Sequence, residues 1–138
     1  MEDCIFCKIV EGKIPSEKVF ENPKILAFLD INPINKGHVL VIPKKHSENI
    51  FDIAEEDLKE VMLAAKKISN AVKKATKCTG INMMQGNGKS ASQVIMHFHM
   101  HIIPRFDNDN LSFHWETKKY AENEMEEFKE NILIELKK

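Results

Sequence analysis

The chain has 138 residues, of which 43% are hydrophobic and 30% are charged, and this length suits one domain over residues 1–138. The 20 basic and 21 acidic residues nearly balance, which gives no support for a surface that coats nucleic acid. No apolar run reaches the roughly 20 residues of a membrane span, and the first residues lack the features of a signal peptide. We therefore expect a cytoplasmic protein, and an odd count of three cysteines argues against a disulfide scaffold.

The first third of the chain contains short apolar segments separated by turn residues. Residues 14–16 indicate a turn, and residues 19–21 and 25–29 are typical of short strands. After a loop over residues 32–37, residues 38–42 form a nearly continuous apolar strand that Pro43 ends.

The rest of the chain alternates between helical and strand patterns. Apolar residues from Glu55 to about Ala75 recur at helical spacing, and Gly80 is expected to close that helix. A strand over residues 81–84 then leads into a polar loop, and the tail from about Tyr120 has helical spacing again. This order predicts an α+β fold, an antiparallel sheet with one main helix packed on it and a C-terminal helix.

Three histidines alternate with apolar residues in the segment His97-Phe98-His99-Met100-His101. In a β-strand the three imidazoles would project from one face, while the apolar residues would project from the other into a core. Three imidazoles on one face can supply a nucleophile, a proton donor and oxyanion contacts, or they can ligate a metal. The alternative is a solvated strand face, although only six histidines occur in the whole chain.

The polar loop that precedes these histidines carries Gly86 and Gly88. Glycine lets backbone N–H groups approach an anion closely, so the loop could hold a phosphate beside the histidines. Taken alone, the loop is more typical of an ordinary hairpin connection. Its position next to the histidine segment favours the phosphate interpretation.

Cys4 and Cys7 form a C-x₂-C pair, which can provide two thiolates to one Zn²⁺. Tetrahedral zinc needs two further ligands, for which His46 and His97 are candidates. The alternative is a pair of small, half-buried apolar cysteines. Cys78 stands alone after the helix and indicates packing.

Asp30 follows an apolar strand, where a carboxylate can accept hydrogen bonds from ribose hydroxyls. The alternative for Asp30 is to cap the turn that begins at Asn32. His38 opens the next strand, and by itself it is more typical of a buried or edge histidine than of a functional one.

Several segments together resemble the histidine triad family. The segment from His97 to Ile103 resembles its signature, in which three histidines alternate with apolar residues. Further blocks resemble the family in the same order along the chain, namely residues 4–9, 27–31, 36–38 and 41–46. The resemblance covers about residues 4–105, and the extension over about 106–138 is less specific but similar to bacterial members.

The resemblance implies a nucleotide hydrolase or transferase that acts at an α-phosphate. It also implies a homodimer in which the sheets of two chains join. His99 matches the nucleophile that forms a nucleotidyl-histidine, His101 matches the histidine that contacts phosphate oxygens, and His38 matches the histidine that supports them.

The resemblance also implies the surrounding site. Asp30 would hold the ribose, and the residues around the base would be Ile5, Phe6, Phe28 and Ile31. The phosphate loop would comprise Asn87, Gln93 and the backbone of Val94 and Ile95. The structural zinc ligands would be Cys4, Cys7, His46 and His97. Ser92 stands where many members have glycine, and because serine resists a positive φ it raises a question about the loop.

We therefore expect an enzyme that cleaves purine nucleotide conjugates, such as phosphoramidates, adenylates or dinucleoside polyphosphates, with structural zinc and no catalytic metal. One alternative is a nucleotide-binding or scaffold protein with incidental hydrolysis. Another is a metalloenzyme in which the three histidines bind Zn²⁺ directly, although Cys4 and Cys7 offer zinc a better site.

Overall fold

The computed structural model describes residues 2–138. It contains three α-helices, five strands and one short 3₁₀ turn. In chain order these are α1 (Ile5–Val10), β1 (Lys18–Glu21), β2 (Ile25–Leu29), β3 (Val39–Pro43), α2 (Glu55–Thr76), β4 (Gly80–Met84), the 3₁₀ turn (Lys89–Ala91), β5 (Met100–Arg105) and α3 (Glu124–Leu136).

The five strands form one sheet in the order β1-β2-β3-β5-β4, and each neighbouring pair is antiparallel. Strand β5 lies between β3 and β4, where His101 is opposite Leu40 on one side and Met84 on the other. The histidine segment therefore enters the interior of the sheet, where hydrogen bonds on both sides fix its backbone.

The two faces of the sheet bury different sets of side chains. Phe98, Met100 and Ile102 pack with α2 residues such as Val61 and Ile68 on one face. The other face carries α1, and the cluster there comprises Phe6, Ile9, Leu26, Phe28, Leu40 and Ile42. The alternation of the histidine segment thus sends its apolar residues into the core under α2, as its sequence predicts, and the α+β class is confirmed.

Strand β5 is shorter than the alternation suggests, because it begins at Met100. The amide of Phe98 donates to the carbonyl of Ser47 instead of joining the ladder between strands. His97 and His99 therefore lie in an extended lead into the strand, although their side chains still alternate.

Two boundaries differ from the sequence expectation. Gly80 does not close α2 but opens β4. The helix ends at Thr76, and the next residue, Lys77, caps it with a left-handed φ of 59° while its amide donates to the carbonyl of Lys73.

Helix α1 has no counterpart in the predicted elements. Cys4 caps its N-terminus, where the Sγ of Cys4 accepts a hydrogen bond from the amide of Cys7.

Helix α3 follows residues 106–123, which contain no regular element, and none of the residues in α3 is buried. Its predicted helical spacing is confirmed, but its apolar side chains are exposed. Within residues 2–138, no helix is both long and apolar enough to cross a membrane.

Candidate functional site

The three alternating histidines divide between two neighbouring sites. The imidazole of His97 is fully buried, and its Nε2–H donates to the carbonyl of Pro43 over 2.8 Å. The Nδ1 of His97 therefore carries the lone pair and faces Cys4 and Cys7. His99 and His101 instead line a cavity on the other side of Phe6.

A Cys/His cluster forms where α1 meets the end of β3. It consists of Cys4, Cys7, His46 and His97, and its ligand atoms all lie within 4.8 Å of one another. Cys4 Sγ is 3.4 Å from His97 Nδ1, Cys7 Sγ is 3.4 Å from His46 Nδ1, and the two Nδ1 atoms are 3.2 Å apart. Burial raises the pKa of the Cys7 thiol to about 11, so a thiolate here needs a nearby positive charge.

This donor set fits a tetrahedral zinc ion. Bonds of about 2.3 Å to sulfur and about 2.0–2.1 Å to nitrogen place tetrahedral ligand atoms roughly 3.3–3.8 Å apart, close to the separations in the cluster. The hydrogen bond from His97 to Pro43 also holds that imidazole with Nδ1 toward the centre, which is how zinc-binding histidines are usually oriented.

His99 lies in the cavity with one ring nitrogen already engaged. Its Nδ1–H donates to the carbonyl of His97 over 2.7 Å, so Nε2 carries the lone pair. The ring of Phe6 meets His99 nearly edge to face, with centroids 5.3 Å apart. The ring of His99 is therefore held in place on one side while its nucleophilic nitrogen stays unprotonated.

His38 and His101 form a second oriented pair. The amide of Ile34 donates to His38 Nδ1 over 3.1 Å, and an amide can only donate, so His38 carries its proton on Nε2. That Nε2–H lies 2.9 Å from His101 Nδ1 and donates to it. His101 is then protonated on Nε2, which makes this nitrogen a hydrogen-bond donor.

Burial keeps these imidazoles neutral. It lowers the pKa of His38 and of His99, and it lowers the pKa of His101 to about 4, with the neighbouring His99 and His38 acting in the same direction. Near neutral pH all three therefore exist as single, uncharged tautomers, and their hydrogen-bond partners decide which tautomer each adopts.

Asp30, His38 and His101 also lie close enough together to suggest a metal site. The hydrogen bonds argue against it, because a metal between the rings would need the lone pair of His38 Nε2. That nitrogen carries the proton while Ile34 occupies Nδ1. These hydrogen bonds therefore favour a pair of histidines with defined proton positions over a metal centre.

The cavity beside His99 has a volume of about 510 Å³. Most of the side chains that the resemblance implies for the site line it, together with five apolar residues that were not predicted to do so. The former are Ile5, Phe6, Phe28, Asp30, Ile31, Val94, Ile95, His99 and His101, and the latter are Ile9, Ile14, Pro15, Leu29 and Leu40. The apolar walls suit a flat ring, and the histidines stand at one end.

Asp30 caps a turn and also lines the cavity. Its Oδ1 accepts a hydrogen bond from the amide of Asn32 over 2.9 Å, which caps the turn. Its Oδ2 lies 3.7 Å from His38 Nε2, beyond hydrogen-bond distance. The carboxylate lines the cavity, so it still has lone pairs for a hydroxyl-bearing ligand.

The loop residues Gln93 and Asn87 hold the backbone in place. Gln93 is buried, accepts from the amide of Gly88 and donates to the carbonyls of Glu48 and Ile95. Asn87 accepts from the amide of Ile50 and exchanges hydrogen bonds with Gln85. The side chains of both residues thus form hydrogen bonds within the protein.

Ser92 adopts a positive φ, the conformation that serine resists and that glycine would adopt easily at this position. Its φ is 65°, and its amide donates to the carbonyl of Lys89 to close the 3₁₀ turn. A left-handed conformation costs a residue other than glycine roughly 1–2 kcal/mol. The hydrogen bonds of the loop offset that cost, so serine is compatible with the turn.

A second cavity, of about 640 Å³, lies on the other side of the histidines. His99 and His101 line both cavities, and Phe113 and Trp115 border the second one. The two aromatic rings lie 5.5 Å apart. Phe113 and Trp115 were not predicted to border a site, because residues 106–123 show no periodicity, although two large aromatics in a polar segment were a usable signal.

Comparison with known proteins identifies the family of this chain. The HIT domain family model matches residues 11–108. "Protein hit" of Bacillus subtilis is 46% identical over 117 residues, which cover 84% of this chain and 81% of that protein. Adenosine 5'-monophosphoramidase HNT1 of Candida albicans is 37% identical over 140 residues, covering 98% of this chain and 92% of that protein.

A solved structure shows the same fold. It is the Zn-bound histidine triad family protein from Mycobacterium smegmatis, with a TM-score of 0.77, 34% identity and coverage of 85% of each chain. The family model, these relatives and this structure together confirm the resemblance predicted from the sequence, and the chain belongs to the HIT, or histidine triad, family.

Proposed function

We propose that this protein hydrolyses purine nucleotide conjugates at the α-phosphate through a covalent intermediate on His99. The observation that carries the proposal is the orientation of His99 in the cavity. Because its Nδ1–H is held by the carbonyl of His97, its Nε2 can attack phosphorus without first losing a proton.

The reaction divides into two displacements at phosphorus. In the first, a bond forms between His99 Nε2 and phosphorus while the bond to the leaving amine, carboxylate or phosphate breaks. The leaving group takes the bonding electrons, and an amine also takes up a proton from solvent. In the second, water attacks the nucleotidyl-histidine and the phosphorus–nitrogen bond breaks, with its electron pair returning to Nε2 of neutral His99. The nucleoside monophosphate keeps the oxygen and one proton of that water, and the other proton goes to solvent.

His101 stabilises the charge that builds on the phosphate oxygens. Its Nδ1 is occupied by His38, so its Nε2–H is the donor that remains for an oxygen of the substrate. A donor already in position needs no reorganisation during the reaction, and one such hydrogen bond contributes about 2.7–4 kcal/mol in other enzymes. Backbone amides near Val94 and Ile95 would add to this.

The cavity also suggests where the nucleoside binds. The apolar residues around Phe6 and Phe28 provide walls for the base, and Asp30 offers its carboxylate to the ribose. The name of the Candida albicans relative, an adenosine 5'-monophosphoramidase, favours a phosphoramidate as substrate. Aminoacyl- or acyl-adenylates and dinucleoside polyphosphates share the same α-phosphate chemistry.

We further propose that the Cys/His cluster holds one structural zinc ion. When bound, the ion would crosslink α1, the end of β3 and the lead into β5. The tetrahedral spacing of the four ligand atoms supports this, and a structure of a family member is described as Zn-bound. The proposed chemistry needs no metal at His99 or His101.

The sheet is proposed to continue across a homodimer through β4. The opposite edge strand, β1, has an irregular register next to Lys18, and bulges and charges discourage pairing at an edge. Strand β4 pairs regularly with β5 and carries no charged residue, and Met83 is exposed on it. The second edge of β4 is therefore the better place for another strand.

The first prediction concerns the nucleophile. Replacing His99 with Ala should lower turnover of an adenosine phosphoramidate at least about 10³-fold, since the covalent route is lost. Binding of AMP, measured by calorimetry, should change little. Turnover within tenfold of the wild type would contradict the assignment and favour a nucleotide-binding protein with incidental hydrolysis.

The second prediction concerns the ribose. Asp30→Asn should weaken AMP binding about ten- to a hundredfold, because a hydrogen bond to a charged acceptor contributes about 1.5–3 kcal/mol. The 2′,3′-dideoxy analogue should bind the wild type poorly and lose little more in the variant. Asp52→Asn is the matched control, because Asp52 also caps a turn, through Glu48 and Asn49. Equal losses of AMP affinity in both variants would mean that Asp30 only caps the turn.

The third prediction concerns zinc. Elemental analysis of protein produced with ample zinc should give one Zn²⁺ per chain, and Cys7→Ala should lose it. The variant should melt roughly 10 °C lower, since metal binding energy contributes to folding. Cys78→Ala removes a buried thiol outside the cluster and should retain the zinc. A metal-free wild type with unchanged stability would mean that Cys4 and Cys7 only pack.

The fourth prediction concerns assembly. Light scattering should give about twice the chain mass of 15.9 kDa. Met83→Asp places a charge on β4 and should yield monomers, whereas Val19→Asp on the opposite edge strand should not. A monomeric wild type, or dissociation caused by Val19→Asp alone, would be inconsistent with pairing through β4.

A further inference from the structure

The pair formed by His38 and His101 depends on a loop that, apart from Asn32, does not line the cavity. This loop, residues 32–37, lies in the connection between β2 and β3, and the amide of Ile34 in it is the donor that fixes the tautomer of His38. A shift of the loop by about an ångström would break that hydrogen bond, because the contact is already 3.1 Å long.

Asn35 holds this loop at two points. Its Nδ2 donates to the carbonyl of Pro104 over 2.8 Å and to Asp109 Oδ2 over 3.0 Å. Its own carbonyl accepts from the amide of His38 over 3.1 Å. The side chain of Asn35 thus fastens the loop to β5, while its backbone fixes the start of β3 and with it His38.

Asp109 is the residue that holds the side chain of Asn35, and we call it the anchor. Its side chain is only 7% exposed, and its two oxygens accept from five donors. These are Arg105 Nε and Nη2, Asn35 Nδ2, and the amides of Phe106 and Leu111. The guanidinium and the backbone amides hold the pKa of Asp109 well below its usual range, so the anchor is charged.

Arg105 connects this anchor to the sheet. Its Nη1 donates to Asn82 Oδ1 over 2.6 Å, which ties the end of β5 to β4. Asp109 is therefore positioned by the sheet itself. Gly37 adds a second constraint, because a Cβ there would lie 2.9 Å from Thr76 Cγ2, so the loop packs tightly against the last turn of α2.

We propose that Asp109, acting through Asn35, is a positioning residue that fixes the proton arrangement of His38 and His101. With the loop held, Ile34 forces the proton of His38 onto Nε2, and His101 presents Nε2–H. With the loop released, His38 can carry its proton on Nδ1 and accept from His101 Nδ1–H. His101 Nε2 would then present a lone pair, which repels a phosphate oxygen.

The catalytic consequence rests on the proposed function, but the proton arrangement itself can be measured without any substrate. Long-range ¹H–¹⁵N spectra of ¹⁵N-labelled, zinc-loaded protein distinguish protonated from unprotonated imidazole nitrogens. In the wild type at pH 7.5, both His38 and His101 should show a protonated Nε2 and an unprotonated Nδ1.

Two variants test the anchor. Asn35→Ala removes the link, and Asp109→Asn keeps the size of the anchor but replaces an acceptor oxygen with a donor. Both should show mixed or exchange-broadened tautomers for His38 and His101. In both, kcat should fall about tenfold, because the wrong tautomer removes a catalytic hydrogen bond, while KM should stay within about twofold.

Thr79→Ala is the matched control, because Thr79 contacts Arg105 and Asp107 in the same turn but does not contact Asn35. It should keep the wild-type tautomers and the wild-type kcat. The proposal is overturned if either folded variant keeps a single wild-type tautomer at both histidines, or if Thr79→Ala disturbs them equally. A wild type that has the expected tautomers but no turnover would instead contradict the proposed function.

Discussion

The site depends on backbone groups that decide where the protons of buried histidines lie. The carbonyls of Pro43 and His97 each accept one N–H, from His97 and His99, while the amide of Ile34 donates to His38. Since burial keeps these rings neutral, each has one donor and one acceptor nitrogen, and the backbone chooses between them. Chemically identical side chains thereby present different nitrogens to their surroundings, which suits the three functions that we propose for them, as metal ligand, nucleophile and hydrogen-bond donor.

The sheet holds the histidine segment in the position from which these backbone groups fix the tautomers. Phe98, Met100 and Ile102 are packed under α2 on the opposite face, so the histidine segment cannot rotate without exposing its apolar side. Strand β5 is also paired on both sides. The residues that lead into β5, from His97 to His99, are not hydrogen-bonded in the ladder between strands. Their side chains still alternate, but the ring of His97 can turn toward Cys4 and Cys7. One short segment therefore contributes residues to both the Cys/His cluster and the cavity.

The sequence predicted the features that follow from periodicity, and it missed those that arise from capping and long-range hydrogen bonds. The alternation around His99 and the helical spacing of α2 are strong patterns, and from them we predicted that the apolar residues of the histidine segment enter a core and that a helix packs on one face of the sheet. Helix α1 was missed because it has only six residues and its N-terminal cap is a cysteine, Cys4, which is not a common capping residue. Gly80 was assigned to the end of α2, whereas Lys77 takes the left-handed position there. The link between Asn35 and Asp109 spans 74 residues, and no local pattern could reveal it.

His97 couples the two sites more directly than any other residue. Its side chain belongs to the Cys/His cluster, while its carbonyl oxygen accepts a hydrogen bond from the Nδ1–H of His99. Any displacement of the His97 backbone therefore moves the group that sets the tautomer of the proposed nucleophile. The ring of His97 is fixed by Pro43 on one side and by the cluster on the other, so its backbone has little freedom. A zinc ion bound by these four residues would not take part in the reaction, but it would limit the motion of the carbonyl on which His99 depends. In physical terms, a structural metal centre that shares a residue with the active site can contribute to catalysis by restricting geometry, without supplying any charge to the substrate.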